Sequence, residues 1–387
     1  MRRRNAALLA ILMIAAWSCT STGASSPPPA SAASTSAGVA PGDVPSGKVV
    51  AATPMTVPRA AHTATALASG DVLVTGGFGT DEVFATAELY AAASGSFAPT
   101  GTMSVARQSH SATLLANGEV LIAGGYDETG SRRESAEIYS PADGSFRPTG
   151  AMLAPRADHT ATRLDDGRVL IVGGTGPGYS FLDTAEIFDP DTGTFSSTGS
   201  MTVARESATA TLLEDGRVLI AGGARGRHEQ IVVYASAELY DPSTGRFTAT
   251  GSMTVARHKH DAVILPNGNV LVVGGVDERT SEEPFASAEV YDPFTGGFTG
   301  VGSMNAARYK VRGTTFVVGA GSVVVAGGAP TPEIFDPRRD VFQVLEGSMG
   351  RYPLFAAAAP IGPGELLLTG GYSTTGPSSA DAWVISV

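Results

Sequence analysis

The chain has 387 residues, 48 of them Gly and 24 Pro, with one Cys, 16% charged residues and a formal net charge of −11. Size alone would suggest two or three ordinary domains. The acidic balance argues against nucleic acid and against unaided binding to anionic lipid.

Taken from the N-terminus, Arg2, Arg3 and Arg4 precede an apolar run at residues 6–16, eleven residues long. Such a run is too short to span a bilayer and fits a secretory signal peptide over residues 1–19. It ends at the only cysteine, Cys19, behind Ala16-Trp17-Ser18. This arrangement resembles a bacterial lipoprotein processing site, although Ala16 and Trp17 stand where that pattern prefers Leu and a small residue. The resemblance implies lipidation of Cys19 and attachment to the cell envelope through that lipid; the alternative is a cleaved signal, a secreted protein and an incidental Cys19. Only the arginines of a twin-Arg signal are present. Residues 20–47 are Ser, Ala, Thr, Pro and Gly with scarcely a charge, a composition that reads as a flexible tether. Without residues 1–19 there are 23 basic and 37 acidic residues, a net charge of −14.

From residue 48 onward a unit repeats. Seven Gly-Gly pairs begin at Gly76, Gly124, Gly173, Gly222, Gly274, Gly327 and Gly370, at intervals of 48, 49, 49, 52, 53 and 43 residues. Six residues before each pair stands a turn glycine (Gly70, Gly118, Gly167, Gly216, Gly268, Gly321, Gly364), which splits two β-prone runs into a tight hairpin. A variable loop follows the pair, then a third strand such as that beginning at Ala185 and a fourth near Phe195. Six units place an aromatic pair seven residues apart on these strands, as in Tyr90/Phe97 and Phe188/Phe195. A period near fifty built from four strands predicts an all-β propeller of seven blades in residues 48–387.

These residues resemble the Kelch family, whose blade carries Gly-Gly at the end of the second strand, Tyr in the third, Trp in the fourth and Arg near the start of the first. Phe replaces that Trp here. The resemblance covers residues 46–387.

The last unit stops after a third strand at residues 382–387, and residues 48–55 align with the fourth strands of other units. The N-terminal strand is therefore predicted to complete blade seven and remove the open edge. A monomer is expected.

Repeated residues read as structural. An Arg opens each unit (Arg59, Arg107, Arg156, Arg205, Arg257, Arg308, Arg351), and a Glu recurs on six third strands (Glu88, Glu137, Glu186, Glu238, Glu289, Glu333). They are expected to form buried ion pairs, with Arg351 stacked on Trp383 in blade seven. Three residues after the Arg stand His62, His110, His159 and His260, with Ala208, Val311 and Leu354 in the other units.

No catalytic constellation is legible: no Gly-x-Ser-x-Gly, phosphate loop or HExxH is present. The Kelch resemblance extends to galactose oxidase, whose copper radical site needs a Tyr cross-linked to a Cys. With no Cys after Cys19, that cofactor is excluded, and no other cofactor is expected. His258 and His260 are expected on one side of a strand, but with no third ligand evident no metal site is assigned. Recognition is expected where blades differ. The longest loop, residues 224–236, carries Arg225, Arg227 and His228. The inter-blade links add Glu206, His258, Lys259, Asp261, Tyr309, Lys310, Arg312 and Tyr352. These candidates crowd blades four to seven. They suit an extracytoplasmic module that binds a protein or glycan. The alternatives are a carbohydrate-active enzyme, like a Kelch-type sugar mutarotase, using Glu206 or Arg312, and a purely structural envelope protein.

Overall fold

A computed structural model describes residues 46–279, 283–373 and 376–387. The signal peptide, Cys19 and most of the tether lie outside these residues. Seven four-stranded antiparallel sheets follow one another along the chain. Blade 3 is representative: Thr160–Arg163, Val169–Val172, Thr184–Asp189 and Thr194–Ser200 pair in sequence order. In blade 7 the order is Ala357–Gly362, Glu365–Thr369, Ala382–Ser386 and then Lys48–Ala51 from the other end of the chain. Closure by the N-terminal strand is thus part of the fold, in the register Lys48↔Ser386 to Ala51↔Trp383. The same segment is fastened to blade 6, where Val49 N–H donates to the Glu346 oxygen at 2.8 Å.

The second strands explain why their sequences are continuously apolar rather than alternating. In Val120–Ala123, Leu121 and Ala123 face blade 3 and join Val169, Ile171 and Phe188. Val120 and Ile122 face blade 1 and join Leu73 and Met103. A strand buried on both faces needs apolar residues at every position. First strands carry small Thr, Ala and Ser side chains because they stand side by side around the channel, with blade 1 against blade 7 as well as blade 2. The third- and fourth-strand aromatics pair at centroid distances of 4.6–4.9 Å.

The Gly-Gly pairs tie one blade to the next. A Cβ at Gly124 (φ +66°) would lie 2.4 Å from the Arg156 oxygen, and the amide of Gly125 donates to that same oxygen at 2.9 Å. The left-handed backbone and the close approach both require glycine.

The buried Arg and Glu pair within each of blades 1 to 6, from Arg59–Glu88 to Arg308–Glu333, at 2.5–2.9 Å with both side chains at most 3% exposed. Blade 7 departs from expectation. In the other blades the second Gly of a pair donates to the oxygen of the next blade's Arg; Gly328 donates instead to Pro353, so Pro353 holds the Arg position of blade 7. Arg351 is two residues out of register and pairs at the surface with Asp381 at 3.0 Å. Trp383 is buried in the core between blades 6 and 7, where no guanidinium among the described residues stacks on it. The same shift puts Ala356, not Leu354, in line with the histidines.

Candidate functional site

Two residues after each buried Arg, and after Pro353 in blade 7, the backbone turns left-handed. Ala61, Ser109, Asp158, Ser207, Lys259, Lys310 and Phe355 all have φ between +50° and +58°. Each of these amides donates to the carbonyl of its counterpart in the preceding blade, at 2.8–3.2 Å, and Ala61 donates to Phe355 to close the circle. Isolated left-handed residues other than Gly are strained; here a closed loop of seven hydrogen bonds holds them. Their side chains rim one cavity of about 240 Å³ at the head of the central channel. Since the backbone beneath is locked, the side chains of this rim determine the site's character.

Three cations enter the rim from blades 5 and 6. Lys259 pairs with Glu278 at 2.5 Å. Lys310 donates to the Tyr372 hydroxyl at 2.6 Å and lies about 5 Å from the ring centres of Tyr309, Phe355 and Tyr372. Burial among these rings lowers its proton affinity. Arg312 reaches across the channel and donates from Nη2 to the main-chain oxygen of His159 at 2.6 Å, while its side chain stays open to the cavity. On the opposite side Asp158 accepts from the Tyr126 hydroxyl at 2.9 Å. Beside it Glu206 is buried in a bidentate pair with Arg227, whose guanidinium lies 4.9 Å from the Phe181 ring centre. Burial raises the proton affinity of Glu206, and the charge of Asp158 adds to this.

The histidines are inter-blade ties. Nε2 of His62 meets Thr369, that of His110 meets Thr75, that of His159 meets Ser111 and that of His260 meets Thr209, at 2.8–3.1 Å. Each hydroxyl belongs to the preceding blade. Where Val311 replaces the His, Asp261 makes the tie in reverse, its carboxylate accepting the amides of Thr314 and Thr315 at 2.9 Å. Burial pushes the Asp261 carboxyl up to about 6 even so.

Of the sequence candidates, Lys259, Lys310 and Arg312 line the cavity; Tyr309 flanks it through Lys310, and Glu206 with Arg227 stands near Asp158. Asp261 is buried behind the rim as a structural group. His258 is buried with Nε2 3.6 Å from Glu278, and the left-handed Lys259 breaks the regular strand expected to align it with His260. Arg225 and His228 are exposed on the ribbon Ala224–Arg225/Val232–Val233 and the turn after it opens, and Tyr352 is exposed on the link into blade 7. The expected crowding into blades four to seven is only partly met, because Tyr126 and Asp158 come from blades 2 and 3. Asp158, Tyr126, Phe355 and Tyr372 were missed. Comparing the second residue after the Arg in every unit would have exposed Asp158; Phe355 was hidden by the blade 7 register.

The family model for the Kelch motif matches residues 155–202, the length of one unit. No curated protein matches the chain. Among solved structures, the chain is similar to a fungal alcohol oxidase described as having catalytic diversity among the AA5 family, in complex with copper. The TM-score is 0.71 at 18% identity, over 88% of this chain and 76% of that one. At that identity the likeness concerns the fold. The donor set here does not fit a copper ion: among the described residues no three His, Cys, Asp or Glu side chains are grouped to hold a metal, and the cavity's histidines are bound to hydroxyls. Seven four-stranded blades repeat the Gly-Gly pair, six of them also the buried Arg and the third-strand Tyr or Phe, and one is matched by the Kelch motif; the chain is a seven-bladed β-propeller that carries a Kelch motif.

Proposed function

We propose that the protein is an exported binding module, held to the cell envelope by a lipid on Cys19, that recognises a protein or glycan through the loop face of its propeller. The observation that carries this reading is the rim. Charged and aromatic side chains from several blades converge on one open cavity, on a backbone circle that allows them little freedom. Preorganised groups of this kind lower the ordering cost of binding. The test is a glycan array run beside a pull-down from envelope extract with the exported protein as bait. Specific capture that is lost when Lys310 and Arg312 are replaced supports the reading, and no capture in either format refutes it.

A carbohydrate-active enzyme is the second reading, favoured by one observation: Glu206 is a buried carboxyl with raised proton affinity near a second carboxylate, Asp158. Against it, Glu206 is already clamped by both oxygens to Arg227. Turnover of any glycan retained by the array would decide for the enzyme.

A further inference from the structure

The cavity's charges do not cancel. Among the described residues Lys259 is neutralised by Glu278, but Lys310 has only the phenol hydroxyls of Tyr372 and Tyr309 for hydrogen-bond partners, and Arg312 has a single main-chain oxygen. A guanidinium carries five N–H donors, so most of those on Arg312 are uncommitted within an open cavity. Of the side chains that line the cavity, one carboxylate stands against these two cations: Asp158, which accepts a hydrogen bond from a phenol and has no ion-pair partner among the described residues. Asp261, held behind the rim by backbone amides, also attracts Arg312 but does not line the cavity. With Lys259 set against Glu278, the lining itself keeps one positive charge, in a chain whose overall charge is −11. The excess is therefore local to the cavity and does not reflect a basic surface.

A dianion would leave excess negative charge beside Asp158, whereas a monoanion matches the imbalance. The rest of the lining narrows the class. Ser109, Ser111 and Ser207 offer hydroxyls, Asp158 accepts donors, and Phe355 supplies an apolar wall. A cavity of about 240 Å³ suits a single small ring rather than a chain of them.

Resting on the binding-module reading, we propose that the cavity holds one hydroxylated carboxylate of monosaccharide size, with its carboxylate on Arg312 and Lys310 and a hydroxyl donated to Asp158. The unit is either a free sugar acid or the end of a glycan chain.

The probe is D-glucuronate, titrated calorimetrically into the full-length protein, with D-glucose as the neutral control and a short oligoglucuronide to separate the two sources. Glucuronate binds and glucose does not. Preference for the oligomer assigns a glycan end; preference for the monomer assigns a free acid. Arg312→Gln, which keeps a donor for the His159 oxygen, weakens glucuronate about 10- to 100-fold, the effect of removing a charged hydrogen bond. Arg312→Lys recovers part of the loss, and Arg225→Gln, outside the cavity, changes nothing. Thermal melts that match the wild type show that the variants are folded. The proposal is overturned if glucuronate gives no heat, if Arg312→Gln binds it as the wild type does, or if glycine displaces it equally well, since that would make the ligand a zwitterion. If glucuronate fails while the wild type still captures an envelope partner, the cavity assignment falls and the binding module stands. If both fail, both readings fall.

Discussion

Arg312 of blade 6 donates to the main-chain oxygen of His159 in blade 3, 153 residues earlier, at 2.6 Å across the channel. A side chain from one blade thus braces the opposite wall just below the hydrogen-bonded rim, while the imidazole of that same His159 ties blade 3 to Ser111 of blade 2. Framework and candidate site meet at this point.

The buried Arg257–Glu289 pair at 2.9 Å should be costly to break singly. Arg257→Leu strands a carboxylate that is 2% exposed and should destabilise by ~3–5 kcal/mol. The double variant with Glu289→Leu should cost less than the two single changes added together. Urea midpoints check this; an Arg257→Leu midpoint equal to the wild type would show that the pair is not a structural tie.

Stability should fall on mild acidification. His110 is buried and neutral, and burial, followed by the charge of Arg107, lowers it to about 3. An unfolded His titrates near ~6.5. Between those values the unfolded chain binds more protons than the fold, so the contribution of His110 is complete above ~6.5 and is lost as pH falls. His62, His159 and His260 shift in the same direction. Relative to wild type, His110→Gln should lose its disadvantage by ~2 kcal/mol between pH 7 and pH 5. A gap that stays constant with pH would contradict the assignment.

Deleting residues 48–55 should open blade 7. The loss comprises the ladder from Lys48↔Ser386 to Ala51↔Trp383, at about 1 kcal/mol per hydrogen bond, and the burial of Val49. Val49 adds roughly 1.5–3 kcal/mol. Val50, its neighbour, is 45% exposed and adds little. Against a typical stability of about 5–15 kcal/mol, a chain starting at Thr56 should aggregate or melt well below the intact protein. Trimming residues 20–45 should leave the melt unchanged. Equal melting of the Thr56 chain and the intact protein would remove the role given to the N-terminal strand.

Cys19→Ser should move the protein from the membrane fraction to the soluble one without altering its melt. Metabolic labelling with a fatty-acid analogue checks the cause. A wild-type protein that takes up no label would end the lipid-anchor reading.

Much of the fold is legible because it repeats. Gly-Gly, the hairpin glycine and the apolar second strands are local constraints, and a local constraint stated seven times in one chain marks its own repeat. The Arg–Glu pairs were readable for the same reason. Blade 7 lacks the Arg; Arg351, two residues early, mimics it in the sequence, and the hydrogen bond from Gly328 places Pro353 at that position instead. The site obeys a different logic. Lys310 and Arg312 could be noticed as departures from a small-residue pattern. That they face Asp158 across one cavity, and that Asp261 does not face it, depends on bending seven blades into a ring. The blade, the blade count and the closing strand follow from the chain's local pattern, since each rests on the backbone demands of short segments. Which side chains share the cavity is set by the assembled ring, because charges from blades 3, 5 and 6 become neighbours only when the circle of left-handed residues closes.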